Sequence, residues 1–118
     1  MKTKQLLLLI TCAILFCAVP AMGSNDTRKA ESYQREAEYY QKKAEGYRRE
    51  AEYYLKKAEG NQREAAYYTR RGDVDRASNY TRYAENDMDR YKMYLRYAAD
   101  ADEKAAMYLR WAADALRR

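Results

Sequence analysis

Three copies of one phrase decide how this chain folds: Glu36-Ala37-Glu38-Tyr39-Tyr40 returns as Glu50-Ala51-Glu52-Tyr53-Tyr54 and again as Glu64-Ala65-Ala66-Tyr67-Tyr68. Lys43-Ala44-Glu45-Gly46 and Lys57-Ala58-Glu59-Gly60 fill the intervals, so the period is fourteen residues, two heptads. Alanine falls at every seventh place (Ala30, Ala37, Ala44, Ala51, Ala58, Ala65), and three residues after each come Tyr33, Tyr40, Tyr47, Tyr54, Asn61 and Tyr68. Spacings of three and four put both sets on one side of a helix, which predicts a coiled-coil seam of Ala and Tyr. The polar surface agrees: Glu31/Arg35, Glu38/Lys42, Glu45/Arg49, Glu52/Lys56 and Glu59/Arg63 are Glu-to-cation pairs four apart, the favourable order on a helix.

A second arm keeps the period with other words. Tyr80-Thr81-Arg82-Tyr83-Ala84 becomes Tyr94-Leu95-Arg96-Tyr97-Ala98 and then Tyr108-Leu109-Arg110-Trp111-Ala112. Its seam combines Ala84, Tyr91, Ala98, Ala105 and Ala112 with Tyr80, Asp87, Tyr94, Ala101, Tyr108 and Ala115. A strict seven-residue pattern runs slightly short of a straight helix and implies a left-handed supercoil. Between the arms, at Arg70-Arg71-Gly72-Asp73-Val74-Asp75, the register slips. Gly72 suits a helix C-terminus and Asp73 the N-cap of the next helix. The expected fold is all-α: an antiparallel two-helix hairpin with helices at about 27–70 and 74–117 and a turn at 71–73. One continuous helix softened at Gly72 is the alternative. Several of Ser24-Asn25-Asp26-Thr27 could cap the first arm.

Ahead of the arms, Lys2 and Lys4 precede an apolar run from Leu6 to Val19, followed by Pro20-Ala21-Met22-Gly23. That is the order of a secretory signal. The run is shorter than the roughly 20 residues a membrane span needs. Residues 1–23 are therefore expected to be a signal peptide cut after Gly23, or after Ala21, with an uncleaved anchor as the rival. Thr11 and Phe16 precede Cys12 and Cys17, where a lipoprotein signal wants a small residue. The expected location is outside the cytoplasm, periplasmic or extracellular, with no membrane span once the signal is removed.

Composition then excludes chemistry. Both cysteines lie in the signal and the chain has no His, so the mature protein would lack disulfides, thiol catalysis and the commonest general base and transition-metal ligand. The net charge of +5 falls to +3 without Lys2 and Lys4, too small a surplus for a dedicated nucleic-acid binder. No Gly-rich phosphate loop, nucleophile elbow or Ser/His pair is present. Asp73-Val74-Asp75 opens like a calcium loop, yet Ser78 and Ala84 stand where that loop needs Gly and Glu. The acidic clusters Asp87-Met88-Asp89 and Asp100-Ala101-Asp102-Glu103 read as solvated surface. The expectation is no enzyme, no cofactor and no metal site. Arg71-Gly72-Asp73 spells the tripeptide that integrins read, but a helix stop explains it; Asn25-Asp26-Thr27 and Asn79-Tyr80-Thr81 are glycosylation sequons.

Past the signal there is no Phe or Ile, and the only leucines are Leu55, Leu95, Leu109 and Leu116. An alanine seam buries little, about 0.8 kcal/mol per methyl, so the tyrosines must supply most of the apolar area. Two helices share only one face, and a second stripe, Tyr39, Gly46, Tyr53, Gly60 and Tyr67, falls outside it, large and small alternating every seven residues. Burial too small for one hairpin favours a homo-oligomer. The residues expected to carry self-association are Tyr33, Tyr39, Tyr40, Gly46, Tyr47, Tyr53, Tyr54, Gly60, Tyr67, Tyr68, Tyr80, Tyr83, Tyr94, Tyr97, Tyr108 and Trp111; Gly72 and Asp73 make the turn.

The stretch Ala65 to Ala84 resembles one helix-turn-helix of the tetratricopeptide type, with Tyr68, Gly72 and Ala77 at matching offsets, although the 34-residue period of that family is replaced by fourteen. The layout of signal and Ala heptads is also similar to small periplasmic metal-binding helical proteins, whose His ligands are missing here. The functional expectation is an exported structural or protein-interaction element, in a filament or as an envelope component, whose further partner is another envelope or extracellular component. The rival is a binding module for anionic or aromatic ligands, such as envelope polysaccharide or extracellular nucleic acid. A tyrosine redox relay or cross-linked matrix protein comes third.

Overall fold

A computed structural model describes residues 24–117 of the chain; the signal read at 1–23 lies outside the described residues. Two helices account for nearly all of it: α1 spans Ser24–Arg70 and α2 spans Val74–Arg117. They pack against each other as the antiparallel hairpin that the two arms predict, which removes the single continuous helix. α1 already includes Ser24 to Thr27, the residues read as its cap. Asp26 and Asp75 stand in the first turns and Arg70 and Arg117 in the last, each opposite in sign to the helix end it sits on.

The reversal between the helices uses very few residues. Gly72 adopts φ 77°, a left-handed conformation that glycine reaches without steric cost. Its N–H donates to the Thr69 carbonyl at 3.1 Å, and the Asp73 N–H donates to the Tyr68 carbonyl at 3.0 Å. These two bonds are the Schellman pair that closes a helix at a C′ glycine. Asp73 then opens α2: its Oδ1 accepts from the Arg76 N–H at 3.2 Å, its carbonyl accepts from the Ala77 N–H at 3.1 Å, and its Oδ2 lies 3.5 Å from Arg76 Nε. One residue thus ends the first helix and caps the second, and this fixes the direction in which α2 leaves.

Two compact units make up the chain. Tyr40–Glu103 contains the turn and most of the seam. Ala44, Ala51, Ala58 and Ala65 on α1 are buried, as are Ala77, Ala84, Ala98 and Ala101 on α2. Ala77 extends the predicted α2 seam one heptad toward the turn. The other unit joins residues 24–39 with residues 104–117. In it Ala30, Ala112 and Ala115 form a small buried cluster, with Tyr33 and Leu116 against it. Ala37 and Ala105 are buried there too. No large side chain among the described residues is fully buried. Small methyls let the backbones approach, and the rings beside them must cover what the methyls leave open.

Candidate interaction surface

The tyrosines separate into two populations by position. Every seam tyrosine (Tyr33, Tyr40, Tyr47, Tyr54, Tyr68, Tyr80, Tyr91, Tyr94 and Tyr108) is half-buried, and every tyrosine one step outside it (Tyr39, Tyr53, Tyr67, Tyr83 and Tyr97) is exposed. Trp111 continues the outer α2 row, fourteen residues after Tyr97.

Within Tyr40–Glu103 the rings join into rows that cross the hairpin. Tyr67 meets Tyr68 edge to face at 5.1 Å, Tyr68 stacks on Tyr80 at 5.6 Å and 8°, and Tyr80 meets Tyr83 edge to face at 5.8 Å. One repeat along, Tyr53, Tyr54, Tyr94 and Tyr97 reproduce the row, with centroids at 5.2, 5.7 and 5.9 Å and a 9° stack in the middle. The two rows match because α1 goes back fourteen residues while α2 goes forward fourteen. Offset stacks and edge contacts are the arrangements that ring quadrupoles favour, each adding about 0.5–1.5 kcal/mol beyond area burial. Tyr47 reinforces the second row, 6.2 Å from Tyr94 and 5.4 Å from Tyr97. In the unit of the chain ends, Tyr33 takes the same role against Tyr108 at 6.2 Å and Trp111 at 5.8 Å, and Tyr108 meets Trp111 edge to face.

Cations line the rows. Lys57 Nζ lies 5.5 Å from the Tyr53 ring and 5.7 Å from the Tyr54 ring; Arg71 covers Tyr67 at 4.7 Å and Arg76 covers Tyr68 at 5.4 Å. Arg90 sits 5.5 Å from the Tyr54 ring centre and donates to its hydroxyl at 3.2 Å, and this bond is the main reason the Arg90 pKa is raised. On the other side of the seam, Arg48 and Asp102 form a 2.7 Å ion pair with both side chains about half exposed. Of the predicted Glu-to-cation ladder, Glu52 and Lys56 pair at 3.5 Å.

Asn61, where α1 breaks its run of seam tyrosines, donates through Nδ2 to Oδ2 of Asp87 at 2.7 Å, where α2 breaks its own. Asp87 is 8% exposed and is the one buried polar residue among those described. Each break is visible in the sequence, but their pairing is not, because it depends on the register between the arms.

Gly46 and Gly60, which fall between the outer tyrosines in sequence, are half-buried. A Cβ at either would meet nothing within 4 Å, so no contact inside the hairpin asks for glycine there. At the chain-end unit a shallow cleft of about 380 Å³ is lined by Asp26, Lys29, Tyr33, Trp111, Asp114 and Ala115. Among the described residues, no three His, Cys, Asp or Glu side chains gather as a metal site would require, and no helix is long and apolar enough to cross a membrane. Comparison with protein-family models, curated proteins and solved structures finds no match.

Proposed function

We propose that this chain is an exported structural element that associates with itself through its outer aromatic rows. The observation that carries the reading is the pair of rows at each edge of the four-ring arrays. Tyr53, Tyr67, Tyr83 and Tyr97 are 55, 40, 51 and 43% exposed, at matching levels of the two helices. Half-exposed rings in a regular series, on a chain whose buried set is almost entirely alanine, leave much apolar surface for a partner to cover. The glycines strengthen the case, since each weakens a helix interior by about 1 kcal/mol relative to Ala and gains nothing within the hairpin. Export rests on the basic, apolar and small-residue order of residues 1–23.

A binding module for anionic ligands has less support. The cleft beside Trp111 sets the carboxylates of Asp26 and Asp114 against the single ammonium of Lys29. Sedimentation velocity on the exported protein, from about 1 to about 100 μM, tests the proposal by mass action. A folded species heavier than one chain should appear and survive ~0.5 M NaCl, because ring contacts are not screened as phosphate contacts are. A folded monomer across that whole range would overturn it.

A further inference from the structure

Deepening the self-association proposed above, on which it rests, the surface also specifies how two copies meet. Within Tyr40–Glu103, α1 carries Tyr53, Gly60 and Tyr67 at seven-residue intervals, the two rings exposed, and α2 carries Asn86, Met93 and Asp100 at the same intervals, three residues on from Tyr83, Arg90 and Tyr97, with Asn86 and Asp100 exposed and Met93 half-buried. The α1 series runs large, absent, large, and the α2 series runs polar, flexible and apolar, polar. Laid antiparallel, they fit: Met93 enters the open space at Gly60, while Tyr53 and Tyr67 bring their hydroxyls to the Asp100 carboxylate and the Asn86 amide. Inside one hairpin the two series lie on opposite outer edges, so a single chain cannot make this match.

Charge selects the symmetry. A twofold axis across the helices would set α1 on α1: the register that puts Tyr53 at Gly60 of the other copy also puts Lys57 over its own copy and Glu50 over Glu64, and a slide of one heptad that relieves those charges sets Tyr53 on Tyr67 and leaves Gly60 facing Gly60. A twofold along the helices sets α1 on the α2 of the other copy. Lys57 then meets the Tyr97 ring, Glu64 meets the Arg90 guanidinium and Arg71 meets the Tyr83 ring, so that each of these charges finds an opposite charge or a ring face. We infer that two copies pack face to face about a twofold parallel to the helices, α1 against α2 in both directions, as a closed four-helix dimer with both turns at one end. The area is of the right order. Four rings about half exposed supply roughly 400 Å² per copy, half of the ~800 Å² that each partner buries in a stable interface, and Met93 and the charged flanks add to it.

The experiment uses protein expressed from the full-length gene. Gly60→Leu should leave the hairpin folded, because nothing lies within 4 Å of a Cβ there, and should raise its melting temperature. It should nevertheless weaken dimerisation about thirtyfold by filling the space that Met93 of the other copy occupies. Adding Met93→Ala should bring the affinity back to within about threefold of the parent. Val74 is 75% exposed beside the turn; with Cys12 and Cys17 replaced by Ser, a nitroxide on Val74→Cys should report a distance between copies below about 30 Å, as packed helices lie 8–10 Å apart. Association that ignores Gly60→Leu, or spin labels more than about 40 Å apart, would overturn this dimer and leave self-association standing. Absence of any association would remove both.

Discussion

Two layers of one seam, seven residues apart, do different work. At Tyr54 and Tyr94 two rings stack at 5.7 Å and reach outward to Tyr53 and Tyr97. At Asn61 and Asp87 an amide donates to a carboxylate at 2.7 Å on the same seam positions. The stack supplies area, but it is indifferent to register: with a fourteen-residue period, Tyr54 could pair as well with Tyr80 or Tyr108 if α2 slid by one repeat. The polar pair supplies little area, yet only one alignment satisfies it, because any slip would leave a buried carboxylate against a ring. Ring layers hold the helices together, and the odd layer states where. A buried polar pair that fixes register at some cost in stability is known from coiled coils generally.

The strongest way to break the contrast is Tyr94→Ala, since Tyr94 touches Tyr47, Tyr54 and Tyr97. It should cost about 2–3 kcal/mol, below the 3–5 kcal/mol of a fully buried aromatic because this ring is half-buried, as read by denaturant unfolding followed by circular dichroism. A loss under ~1 kcal/mol would mean that the rows are ornament. Asn61→Ala comes next: it strips the Asp87 carboxylate of its donor and should cost about 1–3 kcal/mol. The double change Asn61→Tyr with Asp87→Tyr should recover most of that stability while admitting slipped pairings, visible as duplicated amide resonances; a single set of sharp peaks would show that register is kept elsewhere. Weakest is Arg48→Ala. Its ion pair with Asp102 is short but half exposed, so its removal should change stability by less than ~0.5 kcal/mol and by still less in high salt.

Much of the hairpin was legible because helical phase is a local property. Ala30 through Ala65 repeat every seven residues and are all buried, and Gly72 with Asp73 forms the stop and cap that those residue types favour. The outer row of Tyr39, Tyr53 and Tyr67 was also readable, since it stands two residues from the seam alanines. Relations between the arms were harder to read. Neighbours such as Tyr53 and Tyr54 point about 100° apart on a helix, which assigns them to separate faces in the repeat. In the fold the rings are large enough to meet edge to face, which merges two predicted stripes into one array. The Asn61–Asp87 bond was hidden for the complementary reason: a repeat specifies a spacing within each arm and is silent on the offset between them.

The economy of the reversal at Gly72 and Asp73 leaves no slack at that corner. One residue inserted in the first turn of α2 would rotate the rest of that helix by about 100° relative to the corner and carry its rings off those of α1. Lengthening both arms together by fourteen residues would instead leave the corner untouched and add one more crossing of four rings.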